Sequence, residues 1–219
     1  MPNFGISSFL KIIHMNEKPQ KTEVRGRFKP STGGYDFHGS VRKLCTDMVL
    51  HGREPSTLIA QIKDIKKAPE RQSALSGLNN FIKWNKEKTL DYGPAANVTF
   101  ESPKKYFKVT FKPNFSIIDA DQITAVHIWN TGKITLNEHL VRACLSVFPQ
   151  IYTENKPDDL AILCLRSQRL IRLGQPNVKI EELGKLLFGK IDNIIADIKE
   201  SGDDKAHDID DRPTPPSFH

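Results

Sequence analysis

The chain reads as an α+β protein: basic N-terminal helices, a central antiparallel sheet, and C-terminal helices packed on that sheet. Three observations carry this. Apolar residues recur at three- and four-residue spacing between positions 40 and 90. From Asn97 the period switches to two. After Thr135 helical spacing returns, interrupted by one compact apolar run. These shifts predict one domain over 40–200, with a helical part at 40–90 and sheet plus helices at 96–200.

Residues 1–39 are expected to be irregular. Phe4, Ile6, Phe9 and Leu10 could form an edge strand or a short helix, and Lys18 to Lys29 is polar and basic. Lys29-Pro-Ser-Thr-Gly-Gly34 is a turn by composition, and it lacks the Gly-Lys-Ser/Thr ending of a nucleotide P-loop.

Ser40 is the expected N-cap of the first clear helix, with Val41, Leu44, Cys45 and Met48 on one face and Gly52 beyond its end. A second helix is expected from Pro55, burying Leu58, Ile59, Ile62 and Ile65. A third opens at Pro69 with the stripe Leu75, Leu78 and Ile82.

In Tyr106–Lys112, Phe107, Val109 and Phe111 alternate with Lys108, Thr110 and Lys112, the pattern of a half-buried strand, with Asn97–Glu101 as its partner. Ile123–Trp129 is a further strand, expected to turn at Asn130-Thr131-Gly132 and return through Leu136. Thr135 and Glu138 have capping-box spacing for a helix over Val141, Cys144, Leu145 and Phe148. Leu160–Leu165 reads as a buried strand turning at Ser167-Gln168 into Leu170–Leu173; one helix ending at Gly174 is the alternative. The last helix repeats Ile180, Leu183, Leu187, Ile191, Ile194 and Ile198, although Gly184 and Gly189 weaken it. Residues 201–219 read as a disordered acidic tail.

The bulk properties exclude several classes. A hydrophobic share of 38% with 26% charged residues is that of a globular protein. No apolar run approaches the roughly 20 residues that span a bilayer, and the N-terminus lacks the pattern of a secretory signal. Cys45, Cys144 and Cys164 are widely spaced among apolar neighbours, as reduced core thiols would be. No membrane association and a cytoplasmic location are therefore expected.

Charge is the most informative property. Residues 1–117 hold 20 Lys/Arg against 10 Asp/Glu, and residues 118–219 hold 12 against 16, within a net charge of +6. A basic half joined to an acidic one suggests a polyanion partner, most often nucleic acid. Lys63, Lys66, Lys67, Arg71, Lys83 and Lys86 are the residues expected to take phosphates, with Tyr106 and Lys108 extending the contact as a stacking and cationic platform. A solvated helix exterior would look the same in sequence.

Two other classes remain open at this stage. The C-terminal stripe of Leu183, Leu187, Ile191, Ile194 and Ile198 could pair with a second copy or another protein, or pack on this chain's own sheet. Asp119, Asp121 and His127, with Glu138 and His139, are the residues a metal-dependent hydrolase would draw on, although no spacing fixes their geometry. No catalytic, metal or cofactor motif stands out. The leading expectation is a non-catalytic nucleic-acid-binding protein, or the binding subunit of an assembly.

Overall fold

The computed structural model describes residues 1–28, 35–86, 88–132 and 134–203. They form an α+β fold built on two mixed sheets. The larger has five strands in the order β2 (Asp91–Gly93), β5 (Phe115–Asp119), β6 (Gln122–Trp129), β7 (Asp159–Cys164), β8 (Arg169–Arg172). The smaller has β1 (Asn3–Gly5), β4 (Lys108–Phe111) and β3 (Val98–Glu101). The single antiparallel sheet expected from the alternation gives way to two sheets, each with one parallel pairing: β1 with β4 and β6 with β7. Residue alternation reports faces and not strand direction, so this distinction was not legible.

The five-stranded sheet is buried on both sides because its central strands β6 and β7 carry apolar residues on both faces, with Thr124 and His127 of β6 as buried polar positions. Val126, Ile128, Ala161 and Leu163 face α3 (Gly39–Leu50), α4 (Pro55–Gln61) and α5 (Ala68–Asn85). Ala125, Trp129, Leu160 and Ile162 face the opposite core, which holds α1 (Ile6–Ile13), α2 (Glu17–Gly26), α6 (Glu138–Leu145), α7 (Val178–Asp203) and the small sheet. The layers are helices, sheet, then helices with the second sheet.

Residues 1–28 are not the irregular segment expected: they form β1, α1 and α2, so the edge strand and the short helix left open for Phe4, Ile6, Phe9 and Leu10 are both present. Phe4, Phe9, Leu10 and Ile12 are fully buried, and Phe9 stacks on Phe188 of α7 at 4.5 Å. β1 is three residues long and is fixed by a partner over 100 residues away, with Phe4 opposite Val109. The local pattern left this stretch open between strand and helix, and the distant partner decides it.

Among the helices, α3 starts at Gly39 with His38 at its N-cap, and the Ser40 hydroxyl donates to Glu70 instead of capping. Val41, Leu44 and Cys45 are buried as expected, and Gly52 takes the left-handed conformation at φ 60°. Ile59 is exposed: Leu58 and Ile62, four residues apart, form the buried side of α4 and the 3₁₀ turn over Ile62–Asp64 that follows it, and Ile59 lies about 100° around the helix from Leu58. α5 buries Ala74, Leu78, Phe81 and Trp84, a face shifted from the expected stripe.

Two turns differ from expectation. β6 forms its hairpin with β5 through Ala120 and Asp121, both at positive φ, so Asp121 is a turn former. No strand follows at Ile134–Leu136. Asn137, not Thr135, caps α6, its side chain accepting from the Leu140 amide at 3.2 Å. The 159–173 segment is a hairpin, with Gln168 at φ 53° in its turn.

α7 packs on α6 and α2. Ile191 and Ile194 are buried, and Leu187 and Ile198 lean on the same core. The stripe proposed as an interface is thus covered by the chain itself, with Leu183 half-buried. The turn expected at 29–34 and the acidic tail from 204 onward lie outside the described residues. Residues 201–203 belong to α7. Among the described residues no helix is long and apolar enough to cross a membrane.

Candidate functional site

The basic residues fall into separate groups. Lys63 lies in the 3₁₀ turn, Lys66 and Lys67 in the link to α5, and Arg71 in the first turn of α5; all four are exposed. The Arg71 guanidinium donates to the Ile65 carbonyl at 3.2 Å and braces this corner. Among the described residues none of the four pairs with a carboxylate. Lys83 and Lys86 lie about 18 Å or more farther along α5, at the helical rise of about 1.5 Å per residue, and are exposed as well. Trp84 is buried and covered by Lys88, with 4.5 Å from ammonium to ring, so it offers no face to a base.

Tyr106 and Lys108 are not brought to this surface. They belong to the small sheet and its turn, beyond the five-stranded sheet from α5. Lys108 pairs with Glu101 at 2.6 Å, and Tyr106 is half-buried under the Lys199 ammonium at 4.2 Å. The stacking platform read from the alternation is therefore masked by the chain's own groups.

The residues drawn on for a metal-dependent hydrolase are also scattered. Asp119 and Asp121 sit at the exposed β5–β6 turn. His127 is five positions along β6 from Gln122, which opposes Asp119, and at about 3.3 Å per residue that is roughly 17 Å. Glu138 pairs with Arg169 at 2.9 Å, and His139 is exposed. Arg166, Arg169 and Arg172 are spread over the β7–β8 hairpin, with Arg169 on Glu138 and Arg172 3.8 Å from Asp159.

What sequence reasoning missed is a cleft of about 1110 Å³ where the two sheets meet. Its walls come from the β1–α1 junction, the end of β4, β6 and the first half of α3. β6 makes room for it by running past the start of β5: Phe115 opposes Val126, and beyond it the Asn114 side chain caps the Ile128 amide at 2.8 Å.

His127 lies at its centre. Strand alternation puts it on the face of Ala125 and Trp129, toward α1, where it is 5% exposed. Its Nδ1 is 2.6 Å from the Lys112 carbonyl and its Nε2 is 2.7 Å from Ser7 Oγ. A carbonyl oxygen can only accept, so Nδ1 carries the proton. Nε2 is then the bare nitrogen and accepts from the Ser7 hydroxyl. Burial lowers the His127 pKa to about 4; the Lys112 carbonyl opposes this, nearby Arg42 adds to it, and Asp36 works against it. The imidazole is neutral at pH 7.

Ser7 stands in the first turn of α1, directly after the Gly5 end of β1, and no side chain caps that helix. The first amides of α1 have no acceptor within the helix. Around them Lys11, Arg27, Arg42, Lys43 and Lys112 line the cleft. Glu23 is shared by Lys11 at 3.0 Å and Arg27 at 3.5 Å, Asp36 takes Arg42, and Asp47 takes Lys43. Lys112 is exposed with no carboxylate partner among the described residues, so five cations face three carboxylates and the cleft is net positive. Arg27 also donates to Ser8 Oγ at 3.2 Å. His38, at the mouth, has its pKa lowered by burial and by Arg42, against the pull of Asp36.

Tyr35 joins the cleft to the basic corner. It lines the cleft, its hydroxyl donates to the buried Glu70 of α5, and the Lys67 ammonium lies 3.4 Å from its ring centroid. The Ser7–His127 pair spans 120 residues of sequence. One local signal did exist: a histidine inside an otherwise apolar strand must find two polar partners once buried.

No protein-family model matches the chain, and no curated protein matches it.

Proposed function

We propose that the chain binds nucleic acid through its phosphate backbone, with the corner formed by Lys63, Lys66, Lys67 and Arg71 as the primary contact. The observation that carries this reading is that all four are exposed and free of carboxylate partners among the described residues. Surface lysines that serve solubility alone are commonly interspersed with acids, as Lys11, Lys21 and Lys43 are here. Unpaired cations release counterions when they meet phosphates, which yields sequence-tolerant, salt-sensitive affinity. Tyr35, 56% exposed with the Lys67 ammonium over one face of its ring, lies between this corner and the cleft and leaves its other ring face for a base. Lys83 and Lys86 extend the contact along α5. A cytoplasmic location accompanies this reading, supported by three buried cysteines none of which is in a disulfide.

Fluorescence anisotropy with a labelled 20-nucleotide strand over a salt series tests the proposal. Affinity should fall steeply with salt. Reversing Lys63, Lys66 and Lys67 to Glu should weaken binding for all sequences alike and reduce the log–log salt slope by about 2–3. Unchanged affinity in the triple variant would remove this corner from the account.

A further inference from the structure

We propose that Ser7 is a nucleophile and His127 its general base, and that the cleft they share hydrolyses a phosphodiester. The substrate class rests on the nucleic-acid reading above; the nucleophile–base pair does not.

The geometry meets the demands of nucleophilic catalysis one by one. A hydroxyl is a weak nucleophile until a base within hydrogen-bond reach takes its proton. Ser7 Oγ and His127 Nε2 are 2.7 Å apart. The base must present its bare nitrogen to the hydroxyl, and a third group must hold that tautomer. The Lys112 carbonyl does so at Nδ1, 2.6 Å away, in the place a carboxylate occupies in a serine triad. The nucleophile must reach solvent, and Ser7, half-buried, lines the large cleft while its base is buried. Charge that develops on the substrate needs donors: the uncapped first turn of α1 lies beside Ser7, and Arg27, Arg42 and Lys112 line the same cavity. A purely structural Ser–His tie between α1 and β6 would need neither a cavity at the hydroxyl nor a surplus of cations around it.

The reaction is balanced without a further reagent. Ser7 Oγ attacks phosphorus as its proton passes to His127 Nε2. The bond from phosphorus to the leaving ester oxygen breaks, and that oxygen takes the proton from Nε2. Water then attacks the phosphoserine, giving a proton to Nε2; the Oγ–P bond breaks and Ser7 recovers its proton. The products are an alcohol and a phosphate monoester.

The protein is incubated with a fluorophosphonate probe, and the tryptic peptide ending at Lys11 is sequenced by mass spectrometry. In parallel, p-nitrophenolate release is followed from bis(p-nitrophenyl) phosphate and from p-nitrophenyl acetate, and a labelled oligonucleotide is checked for cleavage. We expect the adduct on Ser7, retained in Ser8→Ala, and diester hydrolysis that falls about 100-fold or more in Ser7→Ala and in His127→Gln. Ser7→Ala should keep the anisotropy signal for nucleic acid, whereas the corner triple variant should lose binding yet still label at Ser7. The two proposals thus fail separately. Absence of a Ser7 adduct in the wild-type chain, or diester hydrolysis equal in Ser7→Ala, overturns the nucleophile whatever the variants' stability. Cleavage of the acetate alone overturns the phosphodiester assignment.

Discussion

At the scale of single residues, His127 concentrates the most physical chemistry. It is buried with both ring nitrogens engaged, between Ser7 of α1, the carbonyl of Lys112 after β4, and the charges of Arg42 and Asp36 on the α3 side. Its folded pKa of about 4 lies below the ordinary 6.5. Above pH 6.5 both folded and unfolded chains hold it neutral, and its contribution to stability is complete. As pH falls from 6.5 toward 4, the unfolded chain takes up a proton that the folded chain refuses, and stability drops by up to roughly 3 kcal/mol. His14 and His38, whose pKa values are likewise lowered by burial, act in the same direction. Urea midpoints at pH 7, 5.5 and 4.5 should decline accordingly. His127→Gln should be less stable at pH 7 and show a flatter decline; an unchanged slope would mean that the imidazole titrates normally. The residue was visible in the sequence as a histidine in an apolar strand, but its partners were not.

At the scale of elements, α7 shows how one residue type serves opposite ends. Gly184 and Gly189 both lower intrinsic helix propensity. A Cβ at Gly184 would come 2.6 Å from the Ala143 carbonyl of α6, so the two helices touch there only because no side chain intervenes. At Gly189 a Cβ would meet nothing within 4 Å. The same substitution should therefore have opposite signs. Gly189→Ala should stabilise by about 0.5–1 kcal/mol through helix propensity. Gly184→Ala should destabilise by about 1–3 kcal/mol through overpacking against backbone. Thermal melts of the two variants check this, and equal shifts would refute the packing account. Asp192 belongs to the same helix and is fully buried, accepting from the Ser102 hydroxyl at 2.7 Å and the Lys104 amide at 2.9 Å. The periodicity named the buried stripe of α7 well. It could not name what covers the stripe, because a face that fits a partner and a face that fits α6 have the same spacing.

At the scale of the whole molecule, the five-stranded sheet partitions the charge. Its two faces are both covered, so the Lys63–Arg71 corner and the Tyr106–Lys108 face lie on opposite sides of it, whereas Arg42 and Lys43 of α3 come together with Lys112 at the cleft. Lys108 is bonded to Glu101, whereas Lys63, Lys66 and Lys67 have no such partner among the described residues. Lys108→Gln should accordingly leave nucleic-acid affinity and its salt slope unchanged, while the triple reversal at the corner reduces both. A slope reduced by Lys108→Gln would show that bound nucleic acid wraps around the molecule, and anisotropy titrations at three salt concentrations suffice to tell. The cleft belongs to this scale as well. It exists because β6 outruns β5 and because β1, a short strand from the far end of the chain, docks beside β4.

The α+β class, the helices at 40–85, the β3–β4 pair, the 159–173 hairpin and the apolar stripe of α7 were written in local periodicity, because each buries a face against whatever neighbour is present. Strand direction, the docking of residues 3–13 and the turn that joins β5 to β6 were settled by packing, since their partners are distant or equivalent in pattern. The separation of Lys108 from the lysines at 63–67 follows from a sheet lying between them. The meeting of Ser7 with His127 is likewise tertiary: a hydroxyl and an imidazole 120 positions apart carry no mark of each other until β1 and β6 fix them 2.7 Å apart.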